Sequence, residues 1–327
     1  MRSLDFRRER EPAWVELEKL LTKTRRSGIR SLSAAEISRL PVLYRACVSS
    51  LGVARAISLD QALVTYLENL AQRAYFVVYG TKRPILEVTW EFVAHQVPRA
   101  VREAWLALAI SMLMLATGSA IGFAMVRSDP ARFHDFVGEE LAGDRGPHAD
   151  RETLHDSLYS GETHGHGDLA AFSAFLFQNN SSVGILAFAL GVLFGLPAGL
   201  LVFNNGLMLG AFAAIYHEKS LAIDLWGWLL PHGVTELLAI VLCGAAGLTV
   251  GGAIVFPSSG SRLESLRRAG MRAGTIVIGT LPMFLVAGII EGIFRQVVHD
   301  LTMRYSLALV TAVFWTWYFG WAGRSRR

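Results

Sequence analysis

The chain has 327 residues, 52% apolar and 18% charged, with a formal net charge of +4 and an isoelectric point near 9.2. Mean hydropathy is +0.38, and the charges are segregated along the chain. Several apolar runs reach ~18–22 residues, enough for a helix to cross a hydrocarbon layer of about 30 Å, so the composition excludes an ordinary soluble domain and predicts an all-α, polytopic membrane protein.

Residues 1–104 read as a cytoplasmic helical domain ending in an interfacial helix. Pro12 is expected to open a helix with Trp14, Leu17 and Leu21 on one stripe, and Gly28 to end it. Ser33 and Glu36 have the spacing of a capping box for a second helix, bent near Pro41, and Ser58 with Gln61 that of a third. That third helix carries Leu63, Leu67, Leu70 and Ala74 at helical period, with Gly80 as its stop. Pro84 opens a further amphipathic stretch with Trp90, Phe92, Val93 and Val97. The segment carries 17 Lys/Arg against 11 Asp/Glu. Anionic lipid at a cytoplasmic surface accounts for that excess better than nucleic acid does.

Residues 105–126 form the first predicted span. No apolar signal-peptide core precedes it, so it is expected to act as an uncleaved insertion signal. Residues 127–178 carry ten Asp/Glu, four Lys/Arg and five of the nine histidines. The 257–272 loop, with four Arg and one Glu, and the tail, with three Arg, are basic. Positive loops stay in the cytoplasm, which puts both termini inside and the acidic loop outside. Further spans are predicted at 183–203, 237–256, 275–294 and 305–321. Residues 206–216 supply a short crossing, giving about six transmembrane segments, or five if 204–217 is re-entrant. Residues 172–177 read as an amphipathic piece on the outer face.

Gly191, Gly195 and Gly199 recur every fourth residue, seven beyond Gly184, and Gly206/Gly210, Gly247/Gly251 and Gly288/Gly292 repeat the spacing. Such faces pack helices backbone to backbone or mediate self-association, and a moving or pore-lining helix is the sharper alternative. Pro197 and Pro282 are expected to kink their spans. Cys47 and Cys243 read as small buried residues rather than a disulfide or a redox pair.

The chemistry concentrates at Pro231-His232-Gly233-Val234-Thr235-Glu236. A helix puts His232 and Glu236 on one face at the head of an uncharged run. Glu291 is the lone charge of its span and, with Asn205, completes a predicted intramembrane polar cluster. A polar knot docking helices, satisfied by Asn205 and Thr235, is the preferred reading. A proton or ion route is the alternative, and a metalloenzyme would require a third ligand to converge on His232 and Glu236. The spacing is HGVTE, not the HExxH of zinc hydrolases, and no GxSxG or Walker A pattern occurs, so neither enzymatic activity nor a cofactor is expected. The loop's His164, His166 and Asp168 are weak metal candidates beside the reading of a disordered, solvated acidic loop.

The stretch from Phe175 to Asn180 leading into Gly191–Gly199, then Asn205-Gly206 with Leu209-Gly210, then Pro231-His232-Gly233 with Glu236, resembles the SpoIIM family (stage II sporulation protein M, also DUF95) over roughly residues 170–256. The resemblance implies a multi-span protein of the bacterial inner membrane. In sporulation its members act as non-enzymatic scaffolds that bring peptidoglycan-remodelling enzymes together. Relatives outside sporulation lie near MoxR-type ATPases and RDD membrane proteins, which the resemblance offers as partners beside a homo-oligomer. The long helical front and the acidic loop set this chain apart from the sporulation members. On this reading residues 179–256 are the family core, and residues 257–327 hold the last two spans.

Overall fold

The computed structural model describes residues 3–57, 61–79, 84–159, 169–257, 261–294 and 297–324. The chain divides into two compact units, Met1–Ile85 and Leu86–Arg327.

The front unit is a three-helix bundle: α1 (Ser3–Ser27), α2 (Ala34–Ile57) and α3 (Gln61–Val78). Trp14, Leu17, Leu21, Leu40, Leu43, Leu67 and Leu70 are among its buried core residues, and each fully buried leucine contributes about 1.5–3 kcal/mol. Gly28 ends α1 at φ 76°. The capping box forms as the spacing predicts: the Ser33 amide donates to Glu36 Oε2 (2.7 Å), and the Glu36 amide donates to Ser33 Oγ (3.2 Å). Pro12, expected to open α1, instead lies inside it. The helix gains an extra turn and more because Phe6 is buried against Trp14, their rings 6.0 Å apart. Ser58 and Gly80, the expected cap and stop of α3, lie outside the described residues.

The second unit begins with α4 (Ile85–Glu91), which passes through a π turn (Phe92–Gln96) into α5 (Val97–Glu103). Residues 97–104 were expected to close the front domain at a lipid surface. They belong to the second unit instead, because Ala100, Val101 and Ala104 are buried in one cluster with Ala273, Ile276 and Val277, and Val97 lies against Gly279. Arg102 donates to the Phe319 and Ala322 carbonyls (3.0 and 2.8 Å), capping the last helix.

The long helices of this unit are α6 (Trp105–Ser128), α10 (Leu169–Ala189), α11 (Leu196–Glu218), α12 (Ala222–Val255), α13 (Arg262–Ile289) and α14 (Leu301–Trp321). A π segment, Ile290–Phe294, extends α13. Among the described residues, four of these, α6, α11, α12 and α13 with its extension, are long and apolar enough to cross a membrane. Among the described residues of α10 and its continuation, Asn180–Val192 forms a shorter apolar helix. In α14, Arg304 and the Trp and Tyr side chains dilute the apolar character.

Contacts fix the helix directions. α12 runs antiparallel to α13 (Cys243 meets Thr280, His232 meets Glu291) and parallel to α14 (Gly227 lies beside Leu301, Thr235 bonds Trp315). α11 runs antiparallel to α12, with Val202 beside Gly244 and Ala198 beside Gly247, and parallel to α6, with Phe203 against Gly118 and Leu207 against Gly122. α10 follows α12, with Gly184 near Cys243 and Gly191 against Gly247. Directions therefore alternate along α6, α10, α11, α12, α13 and α14. α12 is central and packs against the other five.

Several expected boundaries move. The apolar run 183–203 is not one helix: it breaks after Val192, where Phe194 and Gly195 adopt φ 60° and 78°. Pro197 follows as an early residue of α11, where its missing N–H costs nothing, so it starts a helix rather than kinking one. Residues 204–217, too short to cross alone, are the second half of α11. Residues 172–177 are part of α10 rather than a separate surface piece.

The acidic segment is also more ordered than its composition suggests. It forms α7 (Phe133–Phe136), α8 (Glu139–Ala142) and α9 (Arg151–Tyr159). Phe133, Val137, Leu154 and Leu158 are buried in one cluster with Tyr216, Leu221 and Leu225. Those apolar residues seat residues 129–159 on the ends of α11 and α12, which corrects the expectation of a disordered loop. His164, His166 and Asp168 lie outside the described residues.

Candidate functional site: an acid–imidazole cluster between two helices

Pro231, His232 and Glu236 all lie within α12, which runs unbroken for 34 residues. The four-residue spacing turns His232 and Glu236 to the same side, toward the π segment that carries Glu291. The wider π turn shifts that side chain relative to a regular helix, and such bulges recur at functional sites. One ligand-type atom from each of His232, Glu236 and Glu291 lies within 4.8 Å of the others. His232 Nε2 is 4.0 Å from Glu291 Oε1. His232 is 3% exposed and Glu291 8%, while Glu236 is half-buried, so the cluster is largely but not wholly enclosed. Glu236 Oε2 is buried and has no hydrogen-bond partner among the described residues. The Trp228 ring closes one side of His232, edge to face, with centroids 5.6 Å apart.

Two residues expected to satisfy the cluster do not. Asn205 donates to the Leu201 carbonyl of its own helix (2.8 Å). The Thr235 hydroxyl accepts from Trp315 Nε1 on α14 (2.9 Å). Both are polar groups in apolar helices, and a nearby backbone or indole partner removes their desolvation cost without help from the carboxylates.

The glycine positions sort by geometry. A Cβ at Gly206 or Gly210 would collide with the Leu115 or Ser119 carbonyl of α6. A Cβ at Gly118 or Gly122 would collide with the Phe203 or Leu207 carbonyl of α11. α6 and α11 thus meet backbone to backbone through two facing small-residue stripes. Gly118 and Gly122 escaped the sequence reading, although their four-residue spacing inside the first span was visible. Gly191 meets Gly247 in the same way. At Gly199 the obstacle is the flexible Met114 side chain, and Gly195 serves mainly as the left-handed turn. These seams lie inside one chain. Ser111 of α6 adds a polar tie, donating to the Val241 carbonyl at 2.8 Å.

An alternating bundle with membrane-length apolar helices, glycine seams and a largely enclosed charged cluster defines a multi-pass membrane protein. The stage II sporulation protein M (SpoIIM) family matches residues 110–294, and the chain belongs to that family. The match reaches from within α6 to the end of the π segment, wider than the 170–256 stretch that carries the sequence motifs, and includes both Gly118/Gly122 and Glu291. A domain of unknown function, DUF8413, matches residues 4–80, the front bundle. No curated protein and no solved structure matches the chain.

Proposed function

We propose that this protein is a non-enzymatic scaffold of the bacterial inner membrane that organises a cell-envelope complex. The backbone-to-backbone α6–α11 seam carries this reading: an added Cβ at Gly118, Gly122, Gly206 or Gly210 would meet the facing backbone, so the two helices pack as one close pair, as a static framework needs. The separate front bundle supports it as a cytoplasmic docking module, and the ordered 129–159 segment as an outer one. The alternating directions of the long helices support six crossings with both termini inside, α10 and α14 joining the four membrane-length apolar helices. By family resemblance, a MoxR-type ATPase or an RDD protein is the partner class on the cytoplasmic or membrane side.

Affinity purification from the native membrane in mild detergent, followed by mass spectrometry, tests the proposal. A stoichiometric membrane or envelope partner, lost when residues 1–85 or 129–159 are deleted, is the expected result. Recovery of the protein alone or as a homo-oligomer rejects it.

A transport reading has one observation in its favour, the buried Glu236 Oε2 inside an apolar helix. Ion or proton flux in liposomes, abolished by Glu236→Gln and Glu291→Gln, would establish that reading instead.

A further inference from the structure

We infer that His232, Glu236 and Glu291 bind a first-row divalent cation of the zinc(II) class, joining α12 to α13. The inference does not rest on the scaffold reading. It concerns what neutralises this cluster, whichever partners the protein has.

Three observations converge. The first is placement: a third ligand does meet the His232/Glu236 pair, and all three ligand atoms fall within 4.8 Å of one another. Zn–N and Zn–O bonds of about 2.0–2.2 Å put two ligands of one ion roughly 3–4 Å apart. The 4.0 Å between His232 Nε2 and Glu291 Oε1 is at that span, and small side-chain rotations close the widest pair.

The second is charge. Glu236 forms no ion pair with a lysine or arginine among the described residues, and its Oε2 is enclosed without a hydrogen-bond partner. It shares the cluster with a second carboxylate, that of Glu291. Two carboxylates sharing an apolar enclosure repel, and an ion of charge +2 turns that repulsion into coordination.

The third is donor chemistry. One imidazole nitrogen with two carboxylates suits zinc(II), manganese(II) or iron(II). It lacks the thiolates that select copper(I) and the all-oxygen shell of calcium or magnesium. The nearest cysteine, Cys243, is turned instead to the Thr280 hydroxyl at 3.2 Å.

The test uses the full chain carrying His164→Ala and His166→Ala, which removes the competing histidine pair, purified in detergent on a histidine-free tag and stripped with EDTA. Zinc(II) or manganese(II) is added, excess is removed by desalting, and metal content and thermal melting are measured. About one equivalent retained, with a higher melting temperature, is expected. Glu236→Gln and Glu291→Gln should each weaken retention at least about tenfold. Cobalt(II) provides a locator that needs no ligand variant. Bound at the cluster it should quench Trp228, whose ring centroid is 5.6 Å from that of His232, and Trp228→Phe should remove that part of the quenching. An unchanged melt with and without zinc or manganese, or metal retention equal to that of the glutamine variants, overturns the inference, as does cobalt quenching insensitive to Trp228→Phe.

Discussion

Trp315 on α14 donates its indole N–H to the Thr235 hydroxyl on α12 at 2.9 Å, one residue before Glu236 in sequence. One turn of the central helix thus serves two neighbours. Thr235 is held by α14, while His232 and Glu236 face Glu291 on the extension of α13. Trp315→Phe keeps the ring and removes the donor, so it should cost about 0.5–1.5 kcal/mol. Thr235→Val should cost a similar amount, and the double variant little more than either alone. Thermal melts in detergent read this cycle, and fully additive losses would show that the pair is not coupled.

The α6–α11 seam should be intolerant of any side chain. Gly210→Ala places a methyl against the Ser119 carbonyl, and overpacking of this kind costs about 1–3 kcal/mol. Gly270→Ala, in α13 with open space around it, should be neutral or slightly stabilising because alanine is the better helix former by about 1 kcal/mol. The melting temperature should fall for Gly210→Ala and hold or rise for Gly270→Ala, read in the same detergent.

Gly195 tests the turn between α10 and α11 separately from packing. Its φ of 78° penalises an L side chain by about 1–2 kcal/mol. Gly195→Ala should destabilise by about that amount, and Gly195→Asn by less, since asparagine enters the left-handed region more readily. Equal effects of the two substitutions in the same melt would assign the loss to crowding against Leu248 and Gly251.

The front bundle should lose stability in acid. Glu16, Glu18 and Glu36 are each held below the ordinary carboxylate value of 4.5, first by side-chain hydrogen bonds from Arg39, Arg73 and Lys23 respectively. Because the folded values are depressed, the stabilisation is present above that ordinary value and is lost as pH falls through the folded values. The pairs are solvent-exposed, so each contributes little. Melts of residues 1–85 should hold from about pH 7 to about pH 5 and fall toward about pH 3, and Glu18→Gln should flatten that fall.

Cys47 is fully buried, and burial pushes its thiol up to about 11. In a Cys243→Ala background, maleimide labelling at neutral pH should therefore be negligible in the native protein and complete after denaturation. Rapid native labelling would show that the front bundle opens around α2 and α3.

The amino-acid sequence alone determined the membrane class, the helical front, the Ser33–Glu36 capping box and the pairing of His232 with Glu236. All of these rest on local chemistry or on a period within one helix. It also carried enough of the family pattern, in the Asn205-Gly206 and Pro231-His232-Gly233 motifs, to place the chain. Only the tertiary structure decided where apolar runs break, since hydropathy cannot tell a helix from two helices joined by the left-handed pair Phe194–Gly195. Tertiary contacts likewise moved residues 97–104 into the second unit, because an amphipathic face reads the same whether it meets lipid or α13. They detached Asn205 and Thr235 from the polar cluster and gave each a partner elsewhere, and they brought Glu291 to His232 across 59 positions of sequence. Which polar groups meet inside a bundle depends on how its helices are rotated and offset, and that is set by the glycine seams between them.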